Sequence, residues 1–180
     1  MTLLLDMAVS LDGCISTADG SDGGLHDWYF DPTEPSKAVI DELVDEAGAL
    51  LLGRRAFGAD DDADGWDDTP YRVPHFVVTH RPPARPLDRT IEFVFVDGIA
   101  QAVDAAKHAA GGSVVALGGG ADVARQCLEA GLVDEVQLHV VPVVLDGPRL
   151  FAGYPGNLRL TKIRVVDAPN VTHLRYRVER

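Results

Sequence analysis

Cysteine is scarce in this chain. Cys14 and Cys127 are the only two in 180 residues, too few for a disulfide framework, and free thiols in a reducing compartment are the expected state. Positive charge is scarce as well. Sixteen Lys and Arg face 28 Asp and Glu, a formal net charge of −12. A surface that negative repels phosphate backbones, so no nucleic-acid partner is expected. No run approaches the ~20 apolar residues of a membrane span. The opening MTLLLDMAVSLDG is short, carries Asp6 and lacks the basic start of a signal peptide. A cytoplasmic protein with no membrane partner is expected. Repeats and long linkers are missing too, so residues 1–180 are expected to form a single domain. The six histidines, His26, His75, His80, His108, His139 and His173, show no metal-ligand spacing, and no metal is expected.

What is present is ordinary globular material, 46% hydrophobic and 24% charged. Leu3 to Val9 reads as a first strand, broken only by Asp6. Leu11 to Pro35 is rich in Gly, Asp and Ser and holds Trp28, Tyr29 and Phe30, and a long loop of that kind is usually functional. Ser36 is placed as an N-cap, followed by Val39, Ile40, Leu43, Val44 and Ala47 at helical spacing, with Gly48 as the stop. Ala49–Leu52, His75–Thr79, Ile91–Val96 and Ser113–Leu117 read as strands. Ile99, Val103 and Ala106 mark a helix face, and Ala121–Ala130 a second helix. Val136–Leu145 reads as one long apolar strand whose Pro142 marks an edge or a bulge. Leu158–Val166 and Val171–Val178 read as an antiparallel pair. The alternation predicts an α/β fold with a mixed sheet, parallel in its centre and antiparallel at its C-terminal edge.

Ligands of such sheets bind at the carboxyl ends of the strands. Three of those ends carry suggestive chemistry: Gly53-Arg54-Arg55, Thr79-His80-Arg81, and Gly118-Gly119-Gly120 running into Ala121-Asp122-Val123. Glycines allow close backbone approach, and the helix start offers free N–H groups to an anion. A Rossmann fingerprint would need glycine where Val123 stands, and a P-loop would need Gly-Lys-Ser/Thr. Arginine forks suit phosphate. A glycine turn for a pyrophosphate, with arginines for a further phosphate, describes NADP better than NAD. Alone, the glycines could equally make a tight turn, and each arginine a surface ion pair.

Taken in order, Ala8-Val9-Ser10-Leu11-Asp12-Gly13, Gly53-Arg54-Arg55-Ala56-Phe57, Val78-Thr79-His80-Arg81, Gly118-Gly119-Gly120 and Gly147-Pro148-Arg149-Leu150-Phe151 resemble the dihydrofolate reductase-like superfamily. The branch they resemble most is the C-terminal reductase domain of the bacterial riboflavin-biosynthesis deaminase-reductase, as a stand-alone member. The resemblance implies a three-layer fold, a central sheet of about eight strands between helices, and NADPH as cofactor. It implies that Gly53, Arg54 and Arg55 face the cofactor phosphates, that Thr79, His80 and Arg81 hold the 2′-phosphate end, and that Gly118 to Val123 wrap the pyrophosphate. Ala8, Val9 and Ile15 would lie by the nicotinamide, and Trp28 and Phe57 on the substrate side. The chain departs from true dihydrofolate reductases at Ser36-Lys37-Ala38, where they carry an acid. It departs from the riboflavin reductase at Leu117, where that enzyme carries one.

The expected activity is NADPH-dependent hydride transfer to a C=N or C=O of a small polar or heteroaromatic compound, riboflavin-precursor or pterin-like. Asp12 and Glu34 are the candidate catalytic acids, with Asp41 or an ordered water as further proton sources. The alternative is a non-catalytic nucleotide-binding or regulatory module that keeps the cofactor cradle. A homodimer is expected through the Val136–Leu145 strand. Asp60-x-Asp62-x-Asp64-Gly65 copies half of a calcium loop, but Tyr71 stands where the bidentate Glu belongs, and a solvated acidic loop is expected. His139 reads as a satisfied core or interface residue.

Overall fold

A strand at the centre of the sheet begins with three consecutive leucines. Leu3, Leu4 and Leu5 are fully buried, as expected of a strand covered on both faces. In the computed structural model, which describes residues 1–58, 66, 68–85, 87 and 89–180, this strand β1 (Leu3–Ser10) lies inside an eight-stranded sheet. The others are β2 (Ala47–Gly53), β3 (His75–Val78), β4 (Phe93–Val96), β5 (Val114–Gly119), β6 (Glu135–Val141), β7 (Leu160–Ala168) and β8 (Val171–Val178). Their order is β4-β3-β2-β5-β1-β6-β8-β7. All pairs from β4 to β6 are parallel, and β8 and β7 add an antiparallel edge. The expected mixed architecture is observed.

Helices α4 (Ile99–Ala109) and α5 (Ala121–Glu129) cover one face. Ala102, Val103, Ala106, Ala124 and Cys127 pack there on Leu3, Leu5, Leu51, Val115 and Leu117. Burial pushes the Cys127 thiol up to about 12, so it is inert core packing. Helix α2 (Glu34–Glu46) lies against β7 and β8 on the other face, with the short α1 (Asp27–Phe30) beside it. A fifth helical turn, α3 (Arg54–Phe57), follows β2.

Several local expectations are corrected. Helix α2 starts after Thr33, because Pro35 fits a first helical turn, where its missing N–H costs nothing. Ser36 is therefore one turn inside, and its hydroxyl is spent on His173. Gly48 does not stop the helix but lies in β2. A Cβ there would stand 2.7 Å from both the Ala110 carbonyl oxygen and the Ser113 Cβ, so the glycine lets the turn after α4 close on the strand. β5 runs on through Gly118 and Gly119. β6 ends at Val141, so Pro142 lies just beyond it. β6 is also hydrogen-bonded on both sides, to β1 and β8. It has no free edge and cannot pair across a two-fold axis as expected; the edge strands are β4 and β7. The Asp60–Gly65 motif falls outside the described residues. No described helix is long and apolar enough to cross a membrane.

Candidate active site

β1 and β5 are neighbours, yet the chain leaves them in opposite directions, β1 leading to β2 and β5 leading to β6. Such a switch point opens a crevice at the carboxyl ends of the strands. A cleft of about 1320 Å³ occupies that position, larger than the ~300–1,000 Å³ usual for one small ligand. That volume leaves room for more than one small molecule.

One end is the glycine and arginine rim. Gly53, Arg54, Arg55, Thr79, His80, Arg81, Gly118, Gly119, Gly120, Ala121, Asp122 and Val123 all line it, as the sequence predicts. The three consecutive glycines have different reasons. A Cβ on Gly119 would meet the Ala56 Cβ at 2.5 Å, and one on Gly120, at φ +93°, would meet the Gly53 Cα at 3.4 Å. These two let the β2–α3 and β5–α5 turns touch. Gly118 has no such neighbour: the nearest atom to its Cβ position is a Leu52 methyl at 3.9 Å, and it is exposed to the cleft. Its missing side chain leaves room for a ligand.

The polar groups of the rim are partly engaged already. Arg54 donates to the Gly58 carbonyl and lies 5.1 Å from the Phe57 ring centroid. His80 pairs with Asp97 across the ends of β3 and β4. The Thr79 hydroxyl accepts from the Arg81 N–H at 3.0 Å, shaping the turn that presents Arg81. Asp122 sits in the first turn of α5, where it would oppose an anion. Arg125 and Gln126 each hold one of its oxygens at 2.7 Å. The Arg125 bond, with a smaller pull from Arg55, keeps the carboxyl below its ordinary range.

The other end is aromatic. Trp28, Tyr29, Phe30, Trp66 and Tyr71 line it, together with Ile15, Ala8, Asp6 and His139. Ala8, Ile15 and Trp28 thus fall where expected. Val9 does not; its side chain joins the core on the opposite sheet face, as β-strand alternation requires. Phe57 does not line the cleft either. It is buried, with edge contacts to Phe93 and Phe95 at 5.3 Å, and serves packing.

Neither candidate acid reaches the cleft. Asp12 accepts from the Leu145 N–H at 3.0 Å and the Ser10 hydroxyl at 2.7 Å, with the Cys14 thiol at 3.3 Å. These bonds, the Leu145 N–H first, hold its carboxyl far below the usual range, so it stays ionised. Asp12 fastens the loop after β1 to the loop after β6. Gly147 takes part in the same join, since a Cβ there would stand 2.0 Å from the Ser16 carbonyl oxygen. Glu34 is exposed at the start of α2 and does not line the cleft. Asp41 pairs with Lys37 on the same exposed helix face.

Two groups at the aromatic end were not singled out as reactive from sequence. Asp6 interrupts an otherwise apolar strand, and two-residue alternation places it on the Ala8 face. His139 is paired in register with Ala8 on one side and His173 on the other. Its Nε2 lies 2.9 Å from Asp6 Oδ1, and its ring lies 4.5 Å from that of Trp28. The expectation of a satisfied histidine holds, but its partner is a carboxylate on the cleft. Among the described residues no group of His, Cys, Asp and Glu is arranged to hold a metal ion.

The family model described as the RibD C-terminal domain matches residues 1–174. Among solved structures, a putative riboflavin biosynthesis protein from Shewanella sp. PV-4 is 24% identical, with a TM-score of 0.79 and full coverage of both chains. A diaminohydroxyphosphoribosylaminopyrimidine deaminase/5-amino-6-(5-phosphoribosylamino)uracil reductase from Thermotoga maritima is 15% identical at a TM-score of 0.68, covering 98% of this chain and 56% of that one. Dihydrofolate reductase from Enterococcus faecalis, complexed with NADP(H), is 16% identical at a TM-score of 0.62, covering 99% and 97%. These likenesses are to the fold. The curated proteins give no match.

Proposed function

The chain belongs to the RibD C-terminal domain family, and from that premise we propose that it is a reductase of the riboflavin-pathway type, using NADPH to reduce a C=N or C=O of a small flat heterocycle. Gly118 carries this reading: it is open to the cleft, unconstrained by packing, and shares that cleft with Arg54, Arg55 and Arg81. Such a gap beside guanidinium forks fits a backbone-bound pyrophosphate with a further phosphate. In this arrangement Gly118 to Val123 take the pyrophosphate, Arg54 and Arg55 face the phosphates, and Thr79 to Arg81 take the 2′-phosphate end. Ala8 and Ile15 border the nicotinamide, which when bound supplies hydride. A dihydrofolate reductase fold neighbour complexed with NADP(H) supports the choice of cofactor.

At the other end, Trp28 offers an apolar wall for a flat ring and Asp6 a hydrogen-bond acceptor. A carboxylate on the cleft favours chemistry over a non-catalytic nucleotide module, since a mere cradle has no use for one. Self-association, if it occurs through the sheet, would use edge strand β7, where Ile163 and Val165 are exposed.

Calorimetry and thermal shift with NADPH, NADH and FMN test the cofactor. NADPH is expected to bind best and raise the midpoint. Arg81→Ala is expected to shrink the preference for NADPH over NADH about tenfold, as the loss of a charge-assisted phosphate contact should, and Arg54→Ala to weaken both dinucleotides. Unchanged selectivity in Arg81→Ala would defeat the assignment. An NADPH-oxidation screen over C=N and C=O heterocycles then separates enzyme from module.

A further inference from the structure

Four polar side chains from four separate elements meet behind the aromatic end of the cleft. β1 supplies Asp6, β6 His139, β8 His173 and α2 Ser36. His139 Nε2 lies 2.9 Å from Asp6 Oδ1, His139 Nδ1 lies 2.6 Å from His173 Nδ1, and His173 Nε2 lies 3.1 Å from Ser36 Oγ. His139, His173 and Ser36 are almost fully buried, and Trp28 roofs both rings at 4.5 and 4.9 Å. The two ends differ. Asp6 borders the cleft. Ser36 leads to the half-exposed Thr33 hydroxyl, 3.5 Å away, at the start of α2.

Proton counting fixes how this chain is ordered. Each neutral imidazole carries one N–H. Burial, and then the neighbouring His139, push His173 down to about 4, so it is neutral at pH 7. With one N–H on each ring, and a carboxylate, which only accepts, facing His139 Nε2, the His139 proton sits on Nε2. His139 Nδ1 must then accept from His173 Nδ1–H, and His173 Nε2 from the Ser36 hydroxyl. Every proton lies on the side facing Asp6, which is the order needed to pass one toward it.

We propose that Ser36, His173 and His139 form a relay that delivers a proton from the start of α2 to Asp6, and that Asp6 hands it to the substrate in the cleft. The proposal rests on the reductase reading above. A proton taken up at the Thr33–Ser36 end moves each link one place and leaves Asp6 as the carboxylic acid. Its O–H bond then breaks as the substrate nitrogen or oxygen forms N–H or O–H, while the substrate carbon takes the hydride that NADPH provides. One double bond is lost, two bonds to hydrogen form, and the carboxylate is restored. Asp6 is the catalytic residue; His139, His173 and Ser36 position and feed it.

The surrounding charges leave Asp6 as the uncompensated acid. Arg175 on β8 is held by Glu46 of α2 and Glu135 of β6 at 3.0 and 2.9 Å. Arg164 on β7 pairs with Glu42 of α2. Gln137 donates to the same Asp6 oxygen at 3.1 Å, leaving the second oxygen without a hydrogen bond among the described residues. Tyr29 and Tyr71, which feel the charge of Asp6, are both pushed upward, mainly by burial, and stay neutral.

The test is imidazole nitrogen NMR on the cofactor-free protein at pH 7, which reads the tautomers directly. His139 is expected as the Nε2–H form and His173 as the Nδ1–H form. In Asp6→Ala both rings should become tautomer mixtures together, although His173 does not touch Asp6; Asp6→Leu, which likewise offers no acceptor, serves the same purpose should the first variant fail to fold. The opposite tautomers in the wild type, or a His173 signal indifferent to both Asp6 variants, would overturn the relay. With a substrate from the oxidation screen, Asp6→Asn should lower turnover at least 100-fold, the scale of a lost general acid, with NADPH affinity within twofold. Ser36→Ala should instead enlarge the solvent isotope effect on turnover; normal turnover in Asp6→Asn would also overturn the proposal. Failure of the wild type to bind NADPH would remove the reductase reading and leave the tautomer order standing. Scrambled tautomers in a protein that binds NADPH would remove the relay alone.

Discussion

His173 makes the fold sensitive to mild acid, and the size of the effect follows from its burial. In the unfolded chain its imidazole titrates near 6.5, and in the folded protein near 4. A lowered folded value means that the unfolded chain binds more protons between those two pH values. The stability contribution is therefore complete above pH 6.5, is lost as pH falls toward 4, and changes no further below 4. At ~1.4 kcal/mol per unit the full loss is about 3 kcal/mol, of which about 2 kcal/mol falls between pH 7 and pH 5. The perturbation is His173→Gln, which cannot titrate but keeps an amide to bond His139 and Ser36. Urea denaturation of both proteins at pH 7 and pH 5, followed by circular dichroism, measures the difference. The wild type should lose about 2 kcal/mol more than the variant over that interval. His75, also buried and pushed down by burial, is present in both proteins, so its acid sensitivity cancels in the comparison. Parallel losses would refute the argument, because they would mean that His173 is no harder to protonate folded than unfolded.

The glycines at the end of β5 should separate by experiment. Gly118→Ala places its Cβ in open cleft, so the melting temperature should stay within about 2 °C of wild type while NADPH affinity falls at least tenfold; unimpaired binding would count against the cradle. Gly119→Ala drives a Cβ to 2.5 Å from the Ala56 Cβ and should destabilise by about 1–3 kcal/mol by overpacking, read as a lower urea midpoint. Phe57→Ala empties a packed aromatic site and should cost about 3–5 kcal/mol. A Michaelis constant in Phe57→Leu matching wild type would agree with a role in packing, and a large rise would restore it to the substrate side.

Sequence alone determined the layered α/β plan and the glycine and arginine rim, because both rest on local patterns. Apolar runs such as Leu3–Leu5 and Val114–Leu117 mark strands wherever they pair, and glycine or arginine at a strand's carboxyl end points to the crevice in any sheet of this kind. Tertiary structure alone decided which acid meets the cleft. Asp12 is as legible in sequence as Asp6, but pairing with the loop after β6 spends its Oδ1 on Leu145 and Ser10 and its Oδ2 on the Cys14 thiol. Asp6, His139, His173 and Ser36 are separated by up to 167 positions and share no local signature. Only strand register and the seating of α2 bring them into one line. The same holds for β6: Pro142 pointed to an edge or a bulge there, and the strands that cover both its sides come from opposite ends of the chain.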